Sequence, residues 1–463
     1  MELPVRYLEA MENFLGQEDY ENYKRCMEEK GVRGLRFNPL KVLPERRAAI
    51  LHTIFSEEPE AVPWSQKDGY YYGEQEFPAK HPYYYGGLYY LQEPSAMAPG
   101  ALLPIEPGNK VLDLCAAPGG KSTQIGGRLA GKGFLLSNDI SASRTKGLLK
   151  NLELFGIGNC LVTSEEPKRL ADCFPEYFDR ILVDAPCSGE GMFRREPSMV
   201  AEWSMRGPEY YAPLQRKLLS LAWRMLKPGG YLLYSTCTFS EMEDEENVSW
   251  LLKETPDAEQ VVLKADYGFT VGRDKASVRL FPWKVRGEGH FAALLRKKGT
   301  GDFLPFKGEE IKERKRNNEA FLKKQAAFAQ FREKIQAPME ERGFYWERQG
   351  ELYLLPFSPE ALPPLRFLRT GLHLGTVKKE RFEPSQALAM YLKKEEFSAT
   401  VDFSSVDVRT VKYLKGETVE AKEGECTGED GWCLVCTDGW PLGFAKRNGG
   451  ILKNKYYPGW RWK

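Results

Sequence analysis

The chain has 463 residues, of which 42% are hydrophobic and 28% are charged, with a formal net charge of +1. This composition is typical of a globular protein of several domains, and it excludes a chain that attracts nucleic acid through overall positive charge alone. No apolar run approaches the length that a bilayer requires, so we expect no membrane partner. The acidic, polar start does not resemble a signal peptide, and the nine scattered cysteines do not resemble a disulfide framework, so we expect a cytoplasmic protein.

The first part of the chain, residues 1–92, is predicted to be a separate N-terminal domain. It opens with two helical patterns, "PVRYLEAMENFLG" and "YENYKRCMEE", and a strand-like segment, "GLRFNPLK", follows at 34–41. A tyrosine-rich stretch, "GYYYGEQEFPAKHPYYYGGLYYLQEPSAM", then mixes aromatic residues with glycine and proline, which is typical of loops and short strands.

Strands and helices alternate in the next part of the chain, which predicts an α/β core over residues 93–298. Strands are predicted at 109–117, 133–139 and 160–164, in "FDRILVDAP" and in "YLLYSTCT". Helices are predicted in "KSTQIGGRLA", in "SRTKGLLKNLELFG" and in "PLQRKLLSLAWRMLKPGG". This alternation favours a doubly wound parallel sheet.

The remaining chain is predicted to form a charged linker with an intermediate α+β domain, 299–390, and a β-rich domain, 391–463. The linker begins with "KGEEIKERKRNNEAFLKKQAAFAQFREK", which suggests a solvated helix or an unstructured connection. The later pair Cys433 and Cys436 lacks the second Cys or His pair that zinc normally requires. We interpret these two as ordinary strand residues and expect no metal.

A glycine turn, "DLCAAPGGKST", lies between the first core strand and the first core helix. A Walker A loop would need glycine where Cys115 stands, and a GxGxxG dinucleotide fingerprint is absent. The third interpretation is an S-adenosylmethionine site, in which Gly119 and Gly120 allow close backbone approach. Asp139, 20 residues after Gly119, ends the next strand and could bind a ribose.

Two cysteines follow the ends of two predicted neighbouring strands. Cys187 lies in "ILVDAPCSGEG" and Cys237 lies in "LLYSTCTFSEMEDEENV". Cysteine is among the most buried residue types, so either thiol alone could be plain packing. Two thiols that each follow a polar motif at a strand end, beside a cofactor loop, favour a catalytic role over packing.

Together, "CAAPGGKST", "DAPCSGEG" and "STCT…EENV" resemble the Sun-type RNA cytosine-5 methyltransferases over roughly residues 34–297. The tail, with "GWPLGFAKRNGGILKNKYYPGWRW", is similar to the bacterial RsmF-like subgroup, which methylates ribosomal RNA. The resemblance implies a Rossmann-like class I methyltransferase core, an N-terminal RNA-binding domain and a C-terminal PUA-like RNA-binding domain. It implies S-adenosyl-L-methionine as cofactor and RNA, not DNA, as partner; we expect a monomer.

The resemblance also implies roles for the two thiols. Cytosine C5 is a poor nucleophile until a thiolate adds at C6, and a base must later remove the C5 proton. In the family that this chain resembles, the Thr-Cys motif attacks, which assigns attack to Cys237 and release to Cys187. In DNA cytosine methyltransferases the Pro-Cys motif attacks instead, which would nominate Cys187. Asp184 is expected to contact the ring edge, and Lys121 to align Asp184 or the substrate.

Further residues are expected to contact the cofactor. The loop contributes Cys115, Ala116, Ala117, Pro118, Gly119, Gly120 and Lys121, and the strand ends contribute Asp139 and Asp184. Arg144 is expected on the cofactor side of the pocket, although it could be a surface arginine. Glu166 aligns with a family acid near the adenine, but the adjacent Glu165 is an alternative. The acidic run at 241–247 could cap a helix or take part in catalysis.

The final twenty residues, 444–463, combine six basic residues, five aromatic residues and no acid. Basic residues bind phosphate and aromatic rings stack on bases. The RNA-binding residues predicted on this basis are Lys446, Arg447, Lys453, Lys455, Tyr456, Trp460 and Arg461. The resemblance adds Arg36, which matches an RNA-domain motif of the family.

The motifs leave three alternatives to a ribosomal RNA methyltransferase. Transfer RNA could be the substrate, because the catalytic motifs are shared and only the tail favours ribosomal RNA. A non-catalytic RNA-binding assembly factor would not need the intact Cys187, Cys237 and Asp184. A P-loop NTPase is opposed by Cys115.

Overall fold

The computed structural model describes residues 3–301 and 308–463. Three strands and four helices are described between residues 3 and 92, and this part begins with a helical pair, as predicted. The helices are α1 Val5–Leu15, α2 Gln17–Glu28, α3 Arg47–Ile54 and α4 Pro82–Tyr85. The strands are β1 Arg33–Phe37, β2 Gly69–Tyr72 and β3 Tyr89–Leu91, in the order β2-β1-β3, all antiparallel.

The central part alternates strands and helices, which confirms the predicted α/β class. Its strands are β4 Lys110–Asp113, β5 Phe134–Asn138, β6 Cys160–Thr163, β7 Phe178–Asp184, β8 Leu226–Thr236, β9 Ala258–Val261, β10 Thr270–Val271, β11 Val278–Leu280 and β12 His290–Lys297. Its helices are α5 Ala98–Leu102, α6 Gly120–Leu129, α7 Thr145–Leu154, α8 Pro167–Cys173, α9 Ser198–Met205, α10 Pro208–Met225 and α11 Glu245–Glu254.

Five strands of the central sheet are parallel, in the order β8-β7-β4-β5-β6. Strand β12 joins the β8 edge antiparallel. Helices α6 and α7 cover one face, and α8, α10 and α11 cover the other. Both faces are therefore buried, which explains why these strands are continuous apolar runs instead of alternating ones. The boundary after α10 differs from expectation, because the helix ends at Met225 and "LKPGG" already belongs to β8.

The C-terminal part contains five helices and ten strands among the described residues. They are α12 Gly308–Lys324, α13 Ala326–Arg332, α14 Met339–Arg342, β13 Phe344–Arg348, β14 Glu351–Leu355, β15 Phe367–Thr370, β16 Leu372–Lys378, β17 Arg381–Pro384, α15 Gln386–Tyr391, β18 Thr400–Phe403, α16 Val408–Leu414, β19 Val419–Glu420, β20 Gly431–Thr437, β21 Trp440–Asn448 and β22 Ile451–Asn454. The charged stretch is thus helical from residue 308; residues 302–307 of the predicted linker lie outside the described part.

Strand β15 pairs antiparallel with β6, so the segment after the linker extends the central sheet. The last five strands form their own sheet in the order β18-β20-β21-β22-β19. Cys433 and Cys436 lie on β20, are fully buried and, like all nine cysteines, are free. The predicted domain boundaries at 92, 298 and 390 stay predictions.

Among residues 3–301 and 308–463, no helix is both long and apolar enough to cross a bilayer.

Candidate active site

The aspartates and cysteines that end or follow the core strands lie together at the carboxyl edge of the parallel sheet. Asp113 ends β4, Asp184 ends β7, and Thr236 ends β8 directly before Cys237. Because β4, β7 and β8 are parallel neighbours, residues that follow their carboxyl ends are brought to one edge. In the strand register Asp184 lies opposite Ser235.

The glycine turn connects β4 to α6 and is held from the next strand and helix. The Ala117 amide donates to Asp139 Oδ2 over 3.2 Å, and Arg144 Nη2 donates to the Ala117 carbonyl over 2.7 Å. Gly119 has a φ of +110°, a conformation that disfavours any other residue, and a Cβ there would meet the Leu148 side chain at 3.2 Å. Arg144 is exposed at the surface, as one alternative expects, but its guanidinium also binds this loop through Ala117 and Asp139.

The other loop residues predicted to contact the cofactor surround this turn. The Ala116 amide donates to the Asn138 carbonyl at 2.8 Å. Cys115 is half-buried, and burial strongly raises the pKa of its thiol, which suits packing instead of nucleophilic chemistry. Pro118 is exposed, and Gly120 starts α6 close to Tyr90 of the N-terminal domain.

Glu165 and Glu166 are the two candidates for the acid near the adenine, and they differ in burial and in contacts. Glu165 is buried, and its carboxylate already accepts from the Arg366 amide at 2.7 Å and from Arg169 at 3.2 Å. Glu166 is exposed at the start of α8, at the same sheet edge. Its carboxylate is therefore the more accessible of the two for a ligand.

The two cysteines lie side by side. Their Sγ atoms are 3.1 Å apart, and the Cys237 amide points at Cys187 Sγ over 3.3 Å. Cys187 is buried, whereas Cys237 is half-buried. The hydrogen bond with Cys237, then burial and the nearby Glu243, raise the pKa of the Cys187 thiol well above its usual value.

Asp184 is an ionised carboxylate beside this pair. Lys121 Nζ donates to its Oδ2 over 2.7 Å, and Ser235 Oγ donates to its Oδ1 over 2.8 Å. Burial alone would raise the pKa of Asp184, but Lys121 and His290 outweigh burial and lower it. Asp184 and, to a smaller extent, Cys237 raise the pKa of Lys121. Lys121 is therefore a positive group of the kind that a reactive thiolate needs.

His290 is a residue of this edge that the sequence does not identify. It begins β12, whose antiparallel pairing with β8 brings it to the same edge. Its Nε2 lies 3.6 Å from Asp184 Oδ1, is buried and has no hydrogen-bond partner among the described residues. The chain has only four histidines, so the rarity of this residue type could have marked His290 as a candidate. The antiparallel pairing of β12 with β8, however, cannot be predicted from the sequence.

Asp113 is a second residue that sequence reasoning misses. Its carboxylate is fully buried; Oδ2 accepts from Ser122 at 2.6 Å, and Oδ1 has no partner among the described residues. Burial, with a smaller contribution from Asp184 and Asp139, raises the pKa of Asp113 to about 7.

The acidic run at 241–247 supplies Glu245 and Glu246 to the first turn of α11, as a helix N-terminal acidic turn requires, although the N-cap residue Asp244 makes no side-chain hydrogen bond to the helix start. Two buried carboxylates of the run, Glu243 and Asp244, face the segments that follow β7 and β8, whereas the buried Glu245 pairs with Arg279 of β11. Glu243 accepts from the Ser188 amide at 3.0 Å and from Gln215 at 2.8 Å. Asp244 accepts from Thr236 Oγ1 at 2.6 Å. The run therefore fixes the segments that follow β7 and β8.

The predicted RNA-binding residues divide into two groups. Lys446, Lys453, Lys455 and Arg461 are exposed. The other predictions are corrected as follows. Tyr456 and Trp460 are buried in a cluster of the last domain, so neither ring offers a face for stacking. Arg447 is half-buried and donates to the Thr427, Gly428 and Gly449 carbonyls.

Arg36 is also corrected, because it is only 1% exposed and cannot touch RNA. Its guanidinium donates to Gln92 at 2.8 Å, to the Gly120 carbonyl at 2.9 Å and to Thr123 at 2.8 Å. Burial lowers its pKa to about 10. Arg36 thus fastens the N-terminal domain to the helix that follows the glycine turn.

The electrostatics of the edge suit a positively charged ligand. Three carboxylates, Asp113, Asp139 and Asp184, lie at the ends of neighbouring strands, and Lys121 and Arg144 are cations that pair with two of them. A ligand that carries a sulfonium or ammonium charge and ribose hydroxyls fits this donor and acceptor set.

Models of four protein families match successive parts of the chain. Residues 3–94 match the N-terminal domain of 16S rRNA methyltransferase RsmF, and residues 100–296 match 16S rRNA methyltransferase RsmB/F. Residues 330–392 match the first C-terminal domain of the RsmF rRNA methyltransferase, and residues 400–462 match the methyltransferase RsmF PUA domain. These matches confirm the predicted Rossmann-like methyltransferase core with an N-terminal domain and a C-terminal PUA domain.

Curated relatives match over most of their length. Ribosomal RNA small subunit methyltransferase F of Enterobacter sp. (strain 638) is 31% identical, over 92% of this chain and 88% of that protein. The protein of the same name from Escherichia coli (strain K12) is 34% identical, over 80% of this chain and 77% of that protein.

Two solved structures from Pyrococcus horikoshii share the fold. A methyltransferase homolog protein is 29% identical with a TM-score of 0.56, and the match covers 64% of this chain and 95% of that chain. NSun6 is 21% identical with a TM-score of 0.57, and the match covers 64% of this chain and 99% of that chain.

Proposed function

Because this chain belongs to the RsmF family of Sun-type methyltransferases, we propose that it transfers a methyl group from S-adenosylmethionine to C5 of cytosine in small-subunit ribosomal RNA. The names of the curated relatives support ribosomal RNA as the substrate class. The PUA match and the exposed lysines of the last domain support an RNA partner. Transfer RNA has no such support.

The observation that carries the cytosine-5 chemistry is the pair of thiols 3.1 Å apart beside an ionised aspartate. Methyl transfer to nitrogen or oxygen needs no protein nucleophile, because those atoms carry lone pairs. Transfer to C5 does need one, since the ring must first be activated by addition at C6. Two thiols at one active edge match an addition that must later be reversed.

The cofactor would be held by the turn at 115–121, and we assign Asp139 to its ribose and Glu166 to its adenine. When bound, S-adenosylmethionine supplies an electrophilic methyl group on a positively charged sulfur. Asp113, which forms an ion pair with neither Lys121 nor Arg144, favours such a cation over its neutral demethylated product when its carboxyl is ionised.

Cys237 is assigned the attack. Its Sγ forms a bond to C6, the electron pair of the C5–C6 double bond moves toward C5, and C5 becomes nucleophilic. Lys121 stabilises the thiolate, and Asp184 contacts the polar edge of the ring. Cys187 is the more buried thiol of the pair, and its contact with Cys237, burial and Glu243 raise its pKa, which favours the half-buried Cys237 as the attacking group.

Cys187 is assigned the release. After C5 carries the methyl group, a base takes the C5 proton, the C5–H electron pair restores the C5–C6 double bond, and the C6–S bond breaks with its pair on Cys237. Cys187, in contact with the departing sulfur, assists this elimination. The order of events accounts for the contact between the two sulfurs.

The test compares Cys237→Ala and Cys187→Ala, each incubated with S-adenosylmethionine and a small-subunit ribosomal RNA transcript and then run on a denaturing gel. Cys237→Ala should give no covalent complex and no product. Cys187→Ala should accumulate a covalent protein–RNA complex, because addition and methyl transfer proceed while elimination is slow. Mapping of 5-methylcytosine in the RNA checks the product.

Cys173→Ala is the matched control, since this half-buried thiol lies on α8, away from the pair. It should keep both activity and turnover. A trapped complex with Cys237→Ala and none with Cys187→Ala would reverse the two assignments. Methylation at a nitrogen or oxygen atom would overturn the cytosine-5 proposal altogether.

A further inference from the structure

Three parts of the chain meet at the outer end of helix α7. Leu154, the last residue of α7, is buried in one cluster with Met390 and Trp460, and Tyr85 and Trp462 pack against that cluster. Tyr85 comes from the N-terminal domain and Trp462 from the chain end. We call this place the α7 junction.

The α7 junction carries an aromatic platform. The rings of Tyr85 and Trp462 stack with centroids 4.9 Å apart and planes inclined by 13°. Both residues are only half-buried, whereas Tyr456 and Trp460 next to them are buried. A core-filling role therefore explains Tyr456 and Trp460, whereas the stacked pair keeps part of its surface accessible.

A row of lysines leads from the α7 junction along the helix. Lys146 and Lys150 are one turn apart on α7, so they share a face of the helix. Burial lowers the pKa of Lys150, and the nearby positive charge of Lys463 at the chain end lowers it further. The stretch "SRTKGLLKN" from 143 to 151 contains no acidic residue. Among the described residues, no carboxylate lies within 4 Å of Lys146, Lys150 or Lys463.

The row ends beside the cofactor turn. Arg144, just before α7, contacts Ala117 of that turn, and Asn151 donates to the Pro118 carbonyl over 2.8 Å. A strand of RNA that follows α7 would therefore run from the last domain toward the carboxyl edge of the sheet, where the thiols lie.

We propose that the α7 junction is a binding site for a single-stranded segment of the substrate RNA, distinct from the pocket of the target base. One unpaired base stacks on the Tyr85–Trp462 pair, and the following phosphates contact Lys150, Lys146 and Lys463. The proposal rests on the proposed function for the identity of the polymer.

An unpaired strand fits this site better than a duplex or a protein segment. Stacking on an exposed ring requires a base whose face is free, which a duplex does not offer. An acidic peptide could neutralise the lysines but would leave the flat aromatic pair without a matching planar group. Aromatic rings alternating with cations are the pattern by which proteins hold single strands.

The experiment measures the affinity of the full-length protein for an unstructured cytidine-rich RNA oligonucleotide at several salt concentrations. The test variants are the double substitution Lys146→Ala with Lys150→Ala, and Trp462→Ala with Trp462→Phe as its conservative partner. The control is Lys217→Ala with Lys253→Ala, which removes two exposed lysines from α10 and α11 on the opposite face of the sheet. Thermal unfolding with S-adenosylmethionine verifies that each variant is folded.

In the double lysine variant, the slope of log affinity against log salt should become less negative by about 0.7 for each phosphate that is no longer neutralised. Trp462→Ala should weaken binding about tenfold, and Trp462→Phe should restore most of it. The control should match the wild-type slope. Equal slopes and affinities for wild type and test variants overturn the α7 junction as an RNA site.

Methyl incorporation by the wild-type protein into a ribosomal RNA transcript is measured in parallel. A wild type that binds and methylates RNA while the test variants bind equally well disproves the α7 junction alone. A wild type that neither binds nor methylates RNA overturns the proposed function and the junction with it.

Discussion

At the scale of single residues, Asp113 is a group whose chemistry is strongly changed by its surroundings. Burial raises its pKa to about 7, and its Oδ1 has no donor among the described residues. The carboxyl is therefore partly protonated at neutral pH. It lies next to the turn that we assign to a positively charged cofactor, which links its titration to cofactor binding.

We predict that S-adenosylmethionine binding releases protons near pH 7. A cation close to Asp113 favours the ionised carboxylate and lowers its pKa, so the protonated fraction dissociates on binding. The binding enthalpy should therefore change with the ionisation enthalpy of the buffer, and Asp113→Asn should remove most of that dependence.

S-adenosylhomocysteine is the matched ligand, because it lacks the sulfonium charge. It should release fewer protons than S-adenosylmethionine at the same pH. The same buffer dependence for wild type and Asp113→Asn would separate Asp113 from the cofactor.

At the scale of elements, the sequence is a good guide wherever one element determines the structure locally. The five parallel strands, the glycine turn and the two strand-end thiols follow from apolar runs and from motif spacing. The sheet edge at which Asp184 and Cys187 meet Cys237 also follows, since parallel strands end on one side.

Contacts between distant elements are not predictable in the same way. His290 reaches Asp184 only because β12 returns antiparallel beside β8, and periodicity does not give the pairing of strands. From the sequence, Tyr456 and Trp460 are expected to stack on RNA bases, but an aromatic residue in a β-rich domain can equally well belong to the hydrophobic core, where both of them lie. Side-chain burial is decided by tertiary packing, which composition does not encode.

The loops after β7 and β8 are joined through Glu243. Burial raises the pKa of Glu243 to about 7, and its carboxyl accepts from Ser188, next to Cys187, and from Gln215. In the unfolded chain the same carboxyl ionises near 4.5. Between these two values the folded state binds more protons, so this group makes the protein less stable as the pH rises.

We predict that Glu243→Gln changes stability in a pH-dependent way. The free energy of unfolding of the variant relative to wild type should rise from about pH 5 to 7, by at most about 1.4 kcal/mol per pH unit. Urea unfolding at several pH values measures it. Glu246→Gln, an exposed neighbour on α11, should follow wild type at every pH. A difference between Glu243→Gln and wild type that does not vary with pH would contradict the shifted pKa.

At the scale of the whole molecule, the last domain is packed into the rest of the chain. Trp440 lies in the core of the N-terminal domain with Leu35 and Phe37, and Arg46 lies over its ring at 4.7 Å. Tyr83 donates to Asp438 over 3.0 Å. One segment therefore combines a basic surface, which we assign to RNA, with a structural support, and removing the segment would disturb both.

We predict that the two roles separate in two different variants. The first is a deletion of residues 398–463, which should expose apolar residues of the clusters that this segment shares with the rest of the chain, such as Leu154. Buried apolar area is lost from three clusters, so the melting temperature should fall by several degrees. Thermal unfolding measures this, and a truncated chain that melts like wild type would show that the last domain is an independent module.

The second variant replaces the exposed Lys446, Lys453 and Lys455 by alanine and leaves the packed surfaces of the last domain intact. Its melting temperature should stay within about one degree of wild type, because exposed side chains contribute little to stability. It should nevertheless bind the ribosomal RNA transcript more weakly and with a smaller salt dependence, since it neutralises fewer phosphates. RNA titrations at several salt concentrations provide the measurement. An unchanged salt slope in this triple variant would remove the three lysines from the RNA surface and leave the last domain with its structural role alone.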